Sequence, residues 1–265
     1  MNNSSKSISF LDEEIINDDI LVFTLKKPDS GNTLSLEVIN YLNKRLDSIA
    51  RNKTIRVLIF SSSGKIFCAG HDLKEIINNN NNSYYSELFQ KCSELMMKIT
   101  SLPQPVIAEV DGYASAAGCQ LVASCDLAIA SKDSFFSTPG VKIGLFCSTP
   151  MVALTRSINP KKSMEMLLTG ESVNSEEAVK IGLINKAVEK EALREEVLKL
   201  AKKISSLPGG VLELGKKTFY KQYNLSLKDA YELTSKAMVE NLYKKDSKEG
   251  ISAFIEKRTA KWNND

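Results

Sequence analysis

Two glycine- and alanine-rich stretches have the composition to do chemistry: Phe67-Cys68-Ala69-Gly70-His71-Asp72-Leu73-Lys74-Glu75 and Tyr113-Ala114-Ser115-Ala116-Ala117-Gly118-Cys119-Gln120-Leu121. Each places small residues where a strand gives way to a helix, so a ligand can approach the backbone closely. The amides exposed at the start of such a helix suit an anion or a developing oxyanion. Side-chain chemistry is more restricted. His71 is the one histidine, which excludes a multi-histidine metal site. The five cysteines, Cys68, Cys92, Cys119, Cys125 and Cys147, are an odd set without CxxC spacing. That argues against a disulfide framework or a zinc site and for reduced, buried thiols. Cys119 and Cys147 have no imidazole other than His71 to activate them as nucleophiles.

The elements that must position these stretches read as an α/β fold. Residues 20–25 (ILVFTL) and 57–61 (VLIFS) are short β-branched and aromatic runs, the pattern of buried strands. Between them Val38, Ile39, Leu42, Leu46 and Ile49 recur at helical spacing. Leu88, Phe89, Cys92, Leu95, Met96 and Ile99 mark a second amphipathic helix, stopped by Pro103 and Pro105. A strand at 106–110 turns at Asp111-Gly112, residues 114–118 read as a helix start, and a strand follows at 127–130. The asparagine run 78–82 reads as a loop, a short helix preceding it. From Ser148 onward helices dominate: Asn174 with Glu177 forms a capping box opening a helix that ends near Gly182. Segments 191–206, 226–244 and 248–258 are helical, and Pro208 ends the first.

At 265 residues the chain can be one large domain, or a core plus a small appendage. Apolar residues at 43% and charged residues at 25% are ordinary globular usage, which excludes a largely disordered chain. The net charge of +3 gives no general attraction to nucleic acid or an anionic membrane. No run approaches ~18 apolar residues, and the segment 1–6 lacks an apolar stretch, so the chain reads as neither spanning nor secreted.

The two stretches, with Asn32-Thr33-Leu34, S-C-D-L-A-I-A (124–130) and the tail segment E-G-I-S-A-F-I-E-K-R (249–258), closely resemble the crotonase (enoyl-CoA hydratase/isomerase) superfamily. The resemblance runs from about Ile20 to the C-terminus. The segments A-G-H-D-L-K-E, A-A-G-C-Q-L and G-L-F-C-S-T-P resemble its enoyl-CoA hydratase domain-containing type. The resemblance implies a spiral of repeated β-β-α units over 1–195, followed by a helical, trimerising region over 196–265. It implies homotrimers or hexamers, an acyl-CoA thioester as ligand, and no cofactor beyond the coenzyme A of the substrate. The implied compartment is the cytoplasm, or the mitochondrial matrix in a eukaryote. The implied oxyanion hole falls on the backbone N–H groups of His71 and Ala117, with Leu34, Ala69, Asp72 and Leu73 lining the substrate. Lys74 and Lys257, or its neighbour Arg258, match positions near the coenzyme A phosphates, and Thr33 and Ser35 match its adenine.

The pattern also has vacancies. Hydratases of the family use two glutamates to position and activate water, and their places are held here by Gln120 and Gly140. The place where family isomerases carry a carboxylate falls on Ser148. A carboxamide can orient water but cannot exchange a proton near neutral pH, and glycine offers no side chain. Two-glutamate hydration is therefore expected to be weak, and the combined change Gln120→Glu with Gly140→Glu is expected to recover more of it than the product of the single changes. Two alternatives stand beside an enolate-forming lyase or isomerase: decarboxylation of a malonyl-type thioester, which needs no base, and a catalytically weak acyl-CoA binding protein.

Overall fold

The computed structural model describes residues 5–263, so the first four and last two residues of the two expected regions lie outside it, as does most of the N-terminal segment 1–6. The chain opens with an antiparallel meander, β1 (Ser5–Ile8), β2 (Leu11–Ile16) and β3 (Ile20–Leu25). Helix α1 (Leu36–Ala50) follows, its start fixed by Ser35, whose hydroxyl accepts the Val38 N–H at 3.3 Å. Three turns of a spiral come next. The first contains β4 (Val57–Ser62), β5 (Ile66–Cys68), α2 (Leu73–Asn78) and α3 (Asn82–Ser101). The second contains β6 (Val106–Val110), β7 (Tyr113–Ser115) and α4 (Ala117–Ser124). The third contains β8 (Leu127–Ser131), β9 (Phe135–Ser137), α5 (Ser148–Ser157) and α6 (Pro160–Thr169). Each turn contributes one strand to a large sheet and one to a small sheet before its helix, the β-β-α repeat expected from the sequence.

β10 (Val173–Asn174) closes the small sheet, whose order is β10-β9-β7-β5. Helix α7 (Ser175–Lys180), capped by Asn174 on the Glu177 N–H at 2.9 Å, leads to β11 (Lys186–Val188). That strand completes the large sheet, ordered β1-β2-β3-β4-β6-β8-β11 and parallel from β3 onward. The remaining helices are α8 (Lys190–Ser205), α9 (Gly209–Gln222), α10 (Leu227–Tyr243) and α11 (Lys245–Ile255).

The parallel strands read as unbroken apolar runs because both of their faces are buried. Leu21, Phe23 and Leu25 point to the main core under α1, α3 and α4, while Ile20 and Val22 point to a second core closed by Leu193, Val197 and Ala201 of α8. Residue 195 thus falls inside a helix that packs on the sheet, and the remaining helices follow from Pro208. Two local readings change. Ala114 and Ser115 are strand, with the helix starting only at Ala117. The asparagine run is mostly helix end and helix cap: Asn81 accepts the Tyr84 N–H at 2.9 Å and opens α3.

Candidate active site

β5, β7 and β9 lie side by side and parallel in the small sheet, so their C-terminal ends emerge together. Gly70-His71 follows the first, Ala116-Ala117 the second and Thr138-Pro139-Gly140 the third. Sites in α/β folds form where strand ends gather in this way.

The first two turns touch. Gly70 has φ +100°, and a Cβ built on it would stand 3.2 Å from the Ala117 nitrogen and 3.0 Å from the Ala116 Cβ. Only glycine combines that conformation with that approach. Ala116 sits at φ 50°, ψ −115°, a conformation that strains a residue with a Cβ by about 1–3 kcal/mol. It is held there by its N–H donating to Ser137 O at 2.9 Å and its carbonyl accepting the Gln120 N–H at 3.0 Å. The bend turns β7 directly into α4 and leaves Ala117 as the first helical residue, whose N–H has no partner within the helix. Gly118 lets α4 settle onto β5, since a Cβ there would lie 2.1 Å from the Cys68 carbonyl oxygen.

His71 is placed by a parallel bridge to Leu34, whose N–H donates to Gly70 O at 2.8 Å; Leu34 is fully buried. The His71 ring packs edge-on to Phe89, with centroids 5.2 Å apart. Burial pushes the imidazole down to about 4, and its Nε2 is buried without a protein partner. The ring is therefore neutral at physiological pH. Asp72 caps α2, accepting Lys74 N–H at 2.9 Å and Glu75 N–H at 3.1 Å. Ala69, Leu73 and Lys74 are exposed, at the rim.

The two positions where the resemblance implies acid/base groups differ in kind. Gln120, on the first turns of α4, is only 4% exposed, and its Oε1 has no partner among the described residues. The space at Gly140 is filled. A Cβ there would meet Leu145 O at 2.6 Å and Cys147 Sγ at 2.8 Å, and the Gly140 N–H donates to that thiol at 3.3 Å. A glutamate at 140 therefore has no room unless the 141–147 loop opens, so the expected recovery by the paired glutamates does not follow from this geometry. Ser148 is exposed, its hydroxyl donating to Phe146 O at 3.4 Å.

Lys257 is exposed just beyond α11 with φ 55°, and its N–H bonds within the tail to Phe254 O. Arg258 is already engaged, holding Glu249 through two bonds of 2.6 and 2.9 Å and Glu256 at 2.7 Å. The Ser35 oxygen is spent on the α1 cap. All five cysteines are free and buried; burial pushes the thiols of Cys68, Cys92 and Cys119 up to about 12 and raises Cys125 and Cys147 as well. None is a ready nucleophile.

Two features escaped sequence reasoning. Thr138, fully buried with an unpartnered hydroxyl, follows β9 beside the site. Lys216 of α9 reaches back from the tail: its Nζ donates to Asp126 Oδ2 at 2.6 Å, Ile99 O at 2.9 Å and Gln104 O at 3.0 Å, while Tyr220 Oη donates to Asp126 Oδ1 at 2.9 Å. A lysine on a helix face it shares with Leu212 and Tyr220 was the available signal. No group of metal-ligating side chains occurs among the described residues, and none of their helices is long and apolar enough to cross a membrane.

The chain as a whole is similar to known proteins. A rat protein, enoyl-CoA hydratase domain-containing protein 3, mitochondrial, is 50% identical over 92% of this chain and 82% of its own length. The crystal structure of the human enoyl coenzyme A hydratase domain-containing protein 3 superposes with a TM-score of 0.90 at 46% identity, covering 98% of this chain and 99% of that one. An enoyl-CoA hydratase from Mycobacterium smegmatis gives 0.94 at 40% identity, covering 96% and 99%. The enoyl-CoA hydratase/isomerase family model matches residues 15–265, and with these relatives it makes this chain a member of the enoyl-CoA hydratase/isomerase family.

Proposed function

We propose that the chain binds acyl-CoA thioesters and stabilises the thioester enolate between the backbone N–H groups of His71 and Ala117. The observation that carries this is the contact of the two turns, where the missing Cβ of Gly70 leaves the Ala117 nitrogen open beside His71. One such donor is worth about 3–4 kcal/mol in a transition state. Lys74, and Lys257 from the tail, are the cations offered to the coenzyme A phosphates. The exposed apolar side chains of α10 and α11, Tyr231, Met238, Phe254 and Ile255 among them, suit burial between copies in a homotrimer or hexamer. The relatives' names support a mitochondrial location for a eukaryotic protein.

The filled space at Gly140 favours a second reading within the same site. With no carboxylate there and a carboxamide at 120, enolate formation by loss of carbon dioxide from a malonyl-type thioester is less hindered than hydration. The breaking carbon–carbon bond supplies the electron pair, and a proton from water completes the product. A third reading is a binding protein without turnover.

Mass spectrometry after incubation with enoyl-, 3-hydroxyacyl- and malonyl-CoA esters tests these readings. Crotonyl-CoA hydration is expected at least about 10²-fold below that of a two-glutamate relative. Equal rates would show that an unrecognised acid or base serves, and binding without any turnover would leave the third reading.

A further inference from the structure

The peptide that carries the His71 N–H is gripped from its other side. Its carbonyl belongs to Gly70 and accepts the Leu34 N–H at 2.8 Å. A trans peptide is planar, with C=O and N–H pointing in opposite directions, so whatever fixes the Gly70 carbonyl also sets the direction of the His71 N–H. A bond accepted at the oxygen further polarises the group and makes its N–H the stronger donor. What holds Leu34 in place is therefore part of the candidate site.

Asn32 supplies that hold. β5 is the outer strand of the small sheet, and segment 31–34 covers its edge: the Ala69 N–H donates to Gly31 O at 2.9 Å, and Leu34 pairs with His71. Asn32, between these two contacts, is only 2% exposed. Its Nδ2 donates to Ser63 O at 2.9 Å and Ile66 O at 2.7 Å, across the turn from β4 to β5, and its N–H donates to Lys27 O at 2.9 Å. The Oδ1 accepts no bond among the described residues, so the side chain serves as a two-fold donor. Its backbone stands at φ 51°, a conformation that asparagine tolerates better than most residues. Glycine would adopt it more easily but could reach neither carbonyl. Building on the enolate reading above, we propose that Asn32 is a positioning residue that aims and polarises the His71 N–H through the Leu34–Gly70 bond.

Difference infrared spectroscopy of butyryl-CoA, isotopically labelled at the thioester carbonyl carbon, tests this without requiring turnover. Bound to the unmodified protein, the ester should show its carbonyl stretch below that of the free ester, because two amide donors weaken the C=O bond. Asn32→Gly keeps the positive φ and removes the two Nδ2 bonds. It should move the stretch back toward the free value while Kd changes only a few fold. An ester that turns over should lose about 10²-fold in kcat, the scale of a small misplacement of a reacting group. An unmoved stretch in folded Asn32→Gly, whatever its loss of Tm, would make Asn32 a purely structural residue and overturn the proposal. If Asn32→Gly does not fold, hydrogen exchange of the unmodified protein decides. The Leu34 amide should then exchange only through global unfolding, and faster local exchange than in the large sheet would overturn the proposal. An unshifted stretch in the unmodified protein would instead remove the enolate reading itself, and this proposal with it.

Discussion

Gln120→Glu keeps the size of the side chain and installs an ionisable group where burial is almost complete. The native Oε1 meets no donor, so a carboxylate there gains no hydrogen bond from the protein. Desolvation should then raise its pKa by two to three units from the ordinary ~4.3. The folded state binds that proton more tightly than the unfolded chain. The stability contribution is thus fully present below about pH 4 and lost as pH rises through the raised value, a loss of about 3–4 kcal/mol. For a protein of this size that is roughly 6–16 °C in Tm. Melting wild type and variant together at pH 4.5 and pH 8 isolates this loss, because contributions shared by both cancel in the difference. Crotonyl-CoA hydration, followed by loss of enoyl absorbance, should rise toward ~10²-fold at pH 8 and fall about tenfold per unit below the raised pKa. A melting difference that ignores pH, with no gain in rate, would mean that position 120 is solvated or turned away from the thioester. Adding Gly140→Glu should lower stability without further gain, because its Cβ meets Leu145 O and Cys147 Sγ. Synergy between the two changes would show that the 141–147 loop opens readily.

His71 should make the wild type acid-sensitive. Its pKa falls from 6.5 to about 4 on folding, so stability is complete above pH 6.5 and about 3 kcal/mol is lost as pH drops toward 4; His71→Phe should abolish that slope in chemical-denaturation curves. Ala116→Gly relieves a positive φ and should raise Tm by a few degrees, about 1 kcal/mol, and a lower Tm would show that the bend carries little strain. Lys216→Met leaves Asp126 without its cation, though still bonded by the Val106 N–H and the Tyr220 hydroxyl, and should cost about 3 kcal/mol by denaturant titration, with α9 amides exchanging faster with deuterium. Light scattering at micromolar concentration should return a trimer or a multiple of it; a monomer would refute the assigned role of the tail.

The large sheet was readable because its parallel strands are buried on both faces: ILVFTL and VLIFS are apolar without alternation, and α1 shows a clear helical stripe. The small sheet was not. β5, β7 and β9 have three residues each, and Tyr113-Ala114-Ser115 has the small residues of a helix start; its strand character comes only from pairing with β5 and β9. The amide turns were legible because close backbone approach demands glycine and alanine. The filling of the Gly140 space was not, since the thiol that occupies it arrives seven residues later through a folded loop. Nor was the Lys216–Asp126 tie, which spans ninety residues of sequence.

The donors proposed at His71 and Ala117 are peptide groups, so they belong to the chain's path and not to any residue's identity. Every residue substitution at these two positions except one to proline preserves the N–H. Position 120 is by contrast an ordinary side-chain position that a single exchange can empty or refill, whereas 140 must also regain its space from the 141–147 loop. Under the proposed reading, such a site can lose one activity and acquire another by drift while its backbone donors are inherited intact.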